Sequence, residues 1–422
     1  MNKKTALLPR LRFPEFVSTG EWQAYKLGEI ADRLTEKVGD KQLTTLSISA
    51  GVGFVSQAEK FSRDISGKQY ENYILLKKGD FSYNKGNSKK FSQGCIYELK
   101  EYDEAASPNA FISFRFNTNY VSDFYKGYFE NNFHGKQLMK FITSGARMDG
   151  LLNINPSDFF SIILPTPKDK AEQQKVADCL SSLDDLIAAE SKKLEALKTH
   201  KKGLMQKLFP AEGVVAPEIR LKGFANAWEQ RKLGEVADIS SGGTPSRDIC
   251  SYWNGDIPWA TTAEVNYSLI LETAEHISTS GLSNSSAKIM PVGTILMAMY
   301  GQGKTRGQVA ILGIEAATNQ ANANIVVNQG INNAFVYYQL VKNYKSIRLS
   351  ANEGGQANLS LGIVKDLPIA FTKSIREQTA IGNLFLNLDV LITAQSEKIE
   401  ALRLHKKGLM QGLFPSIEGV GE

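Results

Sequence analysis

At 422 residues the chain is long enough for two or three domains, and its net charge of +5 is mildly basic, compatible with a polyanionic partner without requiring one. Three cysteines, Cys95, Cys179 and Cys250, are odd in number and share no C-x-x-C spacing, which argues against a disulfide framework and points to a reducing compartment; no zinc site is visible. No run of roughly eighteen or more apolar residues occurs, and Pro9 and Pro14 interrupt the start before a signal-peptide core can form, so the expectation is a soluble, cytoplasmic protein that makes no membrane contact.

In chain order, a lead-in (1–21) precedes the stretch WQAYKLGEIAD at 22–32, which returns as WEQRKLGEVAD at 228–238. Upstream, Pro9 and Phe16 return as Pro217 and Phe224. A globular region follows each copy, 22–167 and 228–371, and both are rich in Gly, Asn, Ser, Tyr and β-branched residues. Short apolar runs at 73–76, 94–99, 111–116, 293–299, 309–312 and 324–327 predict strands separated by turns. One helix is expected late in each region, at 121–143 and 332–349, so both read as α+β. The two regions diverge except at a skeleton: Gly79 and Gly293 open equivalent strands, Asn109 and Asn319 hold equivalent places, and Gly150 and Gly355 precede the closing strand. One scaffold with two surfaces is what two binding modules of different specificity require.

Each region runs into a long helix, at 168–210 and 372–415, with a linker at 211–227 and a tail at 416–422. The segments 172–210 and 377–415 are identical at 22 of 39 positions, so the chain is a tandem duplication. Apolar residues fall at Val176, Leu180, Leu183, Ile187, Leu194, Leu197, Leu204 and Leu208, and again at Ile381, Phe385, Leu388, Ile392, Ile399, Leu402, Leu409 and Leu413. Their alternating steps of four and three define a coiled-coil seam. Glu190 and Lys201 interrupt the first seam where Gln395 and Lys406 interrupt the second, and such polar insertions fix register. A helix of this length spans roughly 50 Å or more, and the economical solution is that each packs on the other.

The stretch AMYGQGKT at 298–305 satisfies a loose phosphate-binding-loop pattern, but such a loop needs a helix directly after its Lys and Thr, whereas residues 306–311 read as a turn and then a strand. The counterpart in the first region is SYNKGNSKKF at 82–91, also between two strands. Paired strand-to-strand loops dense in Lys, Arg, Asn and Gln suit a nucleic-acid groove, where cations meet phosphates or guanine edges and amides pair with adenine. The candidates are Asn84, Lys85, Asn87, Lys89 and Lys90 in the first loop, and Tyr300, Gln302, Lys304, Thr305, Arg306 and Gln308 in the second, supported by Asn319, Gln320 and Asn322. No catalytic residue is assigned. His200 and His405 sit at matching places late in the helices, where a cation suits the dipole, and no methyltransferase motif or nuclease carboxylate cluster is visible.

The twice-repeated, ordered set of LRFPEF before Trp22, KLGEIAD and KLGEVAD, the EQ pair, LxxLD and HKKGLMQxLFP resembles the specificity subunit of type I restriction-modification systems across essentially the whole chain. The resemblance implies two pseudo-symmetric target recognition domains, each reading one half of a bipartite site in double-stranded DNA, joined by two long helices that form an antiparallel coiled coil. It implies a coil that sets the spacer and docks two modification (methyltransferase) subunits, through which two restriction subunits join. It also implies that S-adenosylmethionine, ATP and magnesium serve those partners, with no cofactor or metal held by this chain. Two other readings compete: a nucleotide-hydrolysing enzyme built on AMYGQGKT, and a scaffold whose globular regions bind protein.

Overall fold

The computed structural model describes residues 6–86, 91–142, 152–211, 213–301, 304–351 and 358–417. Packing divides the chain into two units that are discontinuous in sequence, residues 1–191 with 397–422, and residues 192–396. The division falls inside both long helices, Lys170–Leu208 and Ile375–Leu413, so each unit contains one globular region and a piece of both helices.

In the first unit, Gln23–Lys26 pairs antiparallel with Ile163–Thr166, closing the start of the globular region on its end. The central sheet runs in the order Ala31–Arg33, Ile112–Phe116, Phe81–Asn84, Cys95–Glu98, antiparallel throughout. The second unit repeats this. Glu229–Lys232 pairs with Pro368–Phe371, and the sheet runs Ala237–Ser241, Asn322–Val327, Ile295–Ala298, Val309–Leu312, extended at its edge by the short parallel strand Leu269–Ile270. Gly79 and Gly293 stand just before the equivalent strands with φ of +90° and +89°, a left-handed conformation that glycine adopts without a Cβ penalty. Alternation along Ile295–Ala298 feeds two cores: Ile295 and Met297 join the large cluster on the helices, and Leu296 and Ala298 join a smaller one with Ile270 and Leu312.

Outside the shared sheet the units differ. The first has two ribbons, Leu46–Ser49 with Gly53–Ser56 and Ile74–Lys77 with Glu104–Ser107. The second has a four-stranded sheet ordered Glu275–Ile277, Trp253–Ala260, Ala316–Thr318, Ile289–Met290, in which Trp253–Ala260 and Ala316–Thr318 pair in parallel. The expected helix at 121–143 is divided into Ser122–Glu130 and Phe133–Leu138 because Asn132 between them takes a left-handed φ of +55°. Its counterpart divides into Asn333–Lys342 and Tyr344–Leu349, the first capped by the Asn332 side chain on the Phe335 N–H. Gly150 and Gly355 lie outside the described residues.

The helix segments within each unit run antiparallel. In the first unit Lys406 meets Asp184 and Lys398 meets Glu190, so ascending residues of one helix face descending residues of the other. In the second unit Lys201 meets Asp389, the same pair carried over by the duplication. Every one of the sixteen seam residues is buried or half-buried. Lys201 and Lys406 interrupt the seam as expected, and each finds its carboxylate on the opposite helix. Both aspartates stay partly exposed, and solvent screens such pairs, so these contribute to register more than to stability.

A second matched device ties each lead-in to its helix. Glu172, 1% exposed, accepts from Arg12 Nε at 2.7 Å and from Trp22 Nε1 at 3.0 Å. Glu377, fully buried, accepts from Arg220 Nε at 2.7 Å, Trp228 Nε1 at 3.3 Å and the Thr372 hydroxyl at 2.8 Å. Burial alone would raise the Glu377 carboxyl; the bonds from Arg220, Thr372 and Trp228 outweigh it and hold the group below its ordinary value. The tryptophans also anchor the cores. Trp22 meets Phe124 and Trp228 meets Phe335 edge-on, both at 5.6 Å between ring centroids, and Phe414 and Phe209 complete the two clusters.

Candidate nucleic-acid interface

The two candidate loops are tips of equivalent hairpins. In the first unit Asn84 pairs with Cys95, and the loop between them joins the inner strand Phe81–Asn84 to the edge strand Cys95–Glu98. In the second unit Met297 pairs with Val309, and residues 299–308 form the connection. No helix follows Lys304 and Thr305, which removes the geometry a phosphate-binding loop requires.

The first loop starts later than expected. Ser82 belongs to the strand, where its buried hydroxyl pairs with Ser113 at 2.7 Å. Asn84 is half-buried: its Oδ1 accepts the Gly86 N–H at 2.8 Å, and its Nδ2 reaches the Ile48 carbonyl at 3.5 Å. Lys60 donates to that same carbonyl at 2.8 Å, bringing to the base of the hairpin a cation that the sequence did not suggest; burial lowers its pKa. Lys85 is half-buried, and its carbonyl accepts the Leu152 N–H at 2.9 Å. Asn87, Lys89 and Lys90 lie outside the described residues.

The second loop is braced from one side. Tyr344 donates its hydroxyl to the Lys304 carbonyl at 2.5 Å, receives Arg348 Nη1 at 2.8 Å, and meets Tyr267 edge-on at 5.9 Å. Gly307, at φ +82°, lies so close to Arg348 and Ile347 that a Cβ would come within 3.3 Å of both side chains. Tyr300 and Lys304 are exposed, while Thr305, Arg306 and Gln308 are half-buried. Gln302 lies outside the described residues.

Two further segments converge on this end of the second sheet. Met299 N–H bonds the Ala321 carbonyl at 2.8 Å, placing the 319–321 turn beside the hairpin. Gly243 N–H bonds the Thr318 carbonyl at 2.8 Å, and the Thr244 hydroxyl meets Gln320. Gly242 approaches Thr318 so closely that an added Cβ would sit 2.0 Å from its carbonyl oxygen, so this packing excludes any other residue there. Asn319 is half-buried and folds its Oδ1 onto the Ala321 N–H at 3.1 Å, whereas Gln320 is exposed. Asn322 departs from expectation: it is fully buried on its strand, its Nδ2 reaching the Ala260 carbonyl at 3.3 Å, because strand alternation turns it into the sheet rather than toward solvent.

The segment 242–249 also carries Arg247, which sequence reasoning overlooked. Its guanidinium lies 3.7 Å from the Trp253 ring centroid and pairs with Glu275, Nη2 to Oε2 at 2.9 Å, leaving the side chain half-exposed and held in one orientation. The only hint was its place just after a glycine pair and before a tryptophan. Among the histidines, His134 is buried, and desolvation lowers it to about 3, so it remains neutral; His200 and His405 are exposed on the helices. Among the described residues no group of three or more His, Cys, Asp or Glu is placed to hold a metal ion, and no helix is long and apolar enough to cross a membrane.

A duplicated recognition module, presenting different polar loops at the same end of one repeated sheet and carried on paired long helices, is the class this architecture defines. Residues 19–199 and 226–403 each match the family model described as a type I restriction modification DNA specificity domain, and the chain belongs to that family, with two recognition domains. It is 29% identical over 196 residues to the type I restriction enzyme MjaIX specificity subunit of Methanocaldococcus jannaschii, covering 45% of this chain and 44% of that one. Identity to the MjaVIII specificity subunit of the same organism is 26% over 291 residues, 65% of this chain and 66% of the relative, so each match spans less than two thirds of the relative's length. The fold is similar to that of the type I restriction-modification S subunit from M. genitalium, with a TM-score of 0.59 at 14% identity over 97% of this chain and 99% of that one.

Proposed function

We propose that this chain is the DNA-reading component of a type I restriction-modification complex and catalyses nothing by itself. Each recognition domain reads one half of a bipartite, asymmetric site in double-stranded DNA. The paired helices set the number of unread base pairs between the halves and dock two modification subunits, and two restriction subunits join through those. Methyl transfer, ATP hydrolysis and cleavage then belong to the partners, which use S-adenosylmethionine, ATP and magnesium.

The observation that carries this reading is the pairing of sameness and difference: two hairpins at matched ends of sheets with one strand order, bearing unlike polar residues. A scaffold that bound protein alone would not need cationic and amide side chains in both loops. Exposed Lys304 suits a phosphate, and Gln320 and the braced Arg247 suit base edges, where a good bidentate contact discriminates by about 1–3 kcal/mol. Lys85 and Asn84 take the corresponding place in the first domain.

Methylation mapping in a host carrying the chain with its modification subunit tests the reading. One two-part motif with a constant gap, absent from the empty-vector host, is the expected result, and exchanging residues 228–371 for another domain should alter one half of that motif. Assembly of the complex without any new motif would refute DNA reading and favour the protein-binding scaffold.

A further inference from the structure

We propose that Arg247 reads a guanine in the half-site faced by the second recognition domain, and that Trp253 and Glu275 are its positioning residues. The inference rests on the DNA-reading proposal and names one base contact within it. Arg247 stands in the segment that joins strand Ala237–Ser241 to strand Trp253–Ala260, shortly after the glycine pair at 242–243. A surface arginine ordinarily samples many rotamers, and this one is held.

Its guanidinium lies 3.7 Å from the Trp253 ring centroid and 5.2 Å from that of Trp259, and the two rings meet edge-on at 5.1 Å. Both indoles are fixed in turn. Trp253 Nε1 donates to the Ser246 carbonyl at 3.0 Å, and Trp259 Nε1 donates to the Gly243 carbonyl at 2.9 Å. Gly243 gives its own N–H to the Thr318 carbonyl, so the segment carrying Arg247 is anchored beside the 319–321 turn and hence beside the 299–308 hairpin. The Arg247 side chain is nevertheless 53% exposed. An arginine ordered before it meets DNA forfeits less conformational entropy on contact.

The pairing with Glu275 decides what the group can recognise. Nη1 and Nη2 each donate to one Glu275 oxygen, and Nε makes no hydrogen bond among the described residues. A guanidinium has five N–H groups, so the edge made by Nε and the second Nη2 hydrogen remains a fork of parallel donors. That fork matches O6 and N7 of guanine, two acceptors side by side in the major groove. Adenine sets a donor beside its N7, cytosine offers a donor, and thymine offers one acceptor. A phosphate fits less well, because Glu275 neutralises the guanidinium and its carboxylate repels a second anion there. The corresponding segment of the first unit, residues 34–45, contains no arginine, so this contact belongs to one half-site.

The test maps methylation in a host carrying the full-length chain with its modification subunit, comparing the parent with Arg247→Lys, Arg247→Ala and Glu275→Gln. The parent motif should hold a guanine in the half that changes when residues 228–371 are exchanged. Both arginine variants should lower the preference for that guanine roughly tenfold or more and leave the other half of the motif intact. Should Arg247→Ala fail a circular-dichroism check of folding, Arg247→Lys decides alone. Glu275→Gln unmasks the cation: the guanine preference should weaken while the salt slope of non-specific DNA binding steepens by about 0.9, a combination that lost packing would not produce. A second half without guanine, or a guanine preference unchanged in the arginine variants, overturns this inference and leaves DNA reading standing. An equal loss for all sequences in Arg247→Ala, with the salt slope reduced by about 0.9, makes the residue a phosphate contact and also overturns it. No motif from the assembled parent complex removes both proposals.

Discussion

The two units share a frame and differ in what is hung on it. Both close their first strand on their last, order four central strands identically, and bury one glutamate beneath an arginine and a tryptophan. They part company in the second layer, where two ribbons joined through one parallel bridge, Thr45 with Ala106, stand in place of the other unit's continuous four-stranded sheet, and in the residues around the helix-pairing aspartates. Asp184 is met by Lys126 and Lys406, whereas Asp389 is met by Tyr338 and Lys201. The contacts that tie each lead-in to its helix and pair a lysine with an aspartate across the helices recur in both units, whereas the hairpin loops carry different residues.

The largest effect expected from disturbing this frame is at the buried glutamates. Glu172→Ala or Glu377→Ala strands an arginine and a tryptophan N–H, and each should cost about 3–5 kcal/mol, read as a lowered urea midpoint. Equal losses would establish that the frame is equivalent in both units; a loss confined to one would break the comparison. Next come the helix pairs. Lys201→Glu sets two negative charges against each other and should cost about 1–2 kcal/mol, with much of the loss restored by adding Asp389→Lys, a coupling that a double-mutant cycle measures.

Acid sharpens the contrast. Burial alone would raise the Asp184 carboxyl, but hydrogen bonds from Lys126 and Lys406 hold it below its ordinary 3.8. A carboxylate whose folded value is depressed stabilises the fold above its unfolded value, and that contribution is lost as pH falls through the folded value. Stability measured from pH 6 down to about 2 should therefore drop less steeply in Asp184→Asn than in the parent, with the difference arising below about pH 4. Glu377→Gln should remove a corresponding share for the second unit, starting nearer its ordinary 4.5. The smallest effect is at the proposed interface, where Lys304→Ala should weaken DNA binding similarly for all sequences and reduce the salt slope by about 0.9, as expected for one lost phosphate contact.

Much of the frame is legible in the sequence alone. The seam spacing and its polar interruptions at Lys201 and Lys406 survive because a helix converts sequence period directly into a face, and the strands at 309–312 and around 112–116 follow from short apolar runs bounded by turns. The helix breaks at Asn132 and Asn343 were not legible, since a single asparagine is compatible with either continuation. Of the candidate interface, both hairpins fall between the expected strands, but Ser82 and Asn322 were placed in loops and belong to strands, where a side chain faces inward or outward according to register. Arg247 and Lys60 were missed because each reaches its site through contacts with residues distant in the chain.

By itself the sequence determined the duplication, the long paired helices and the presence of two α+β regions, because those depend on period and repetition, which are local properties. Only the tertiary structure decided that the compact units cut across the helices, that Glu172 belongs to Arg12 and Glu377 to Arg220, and that three segments meet at one end of the second sheet. These are contacts between residues far apart in the chain, 160 positions for Arg12 with Glu172, and side-chain partnerships at such range are selected by packing geometry and by the cost of leaving a buried polar group unpaired, neither of which a linear pattern encodes.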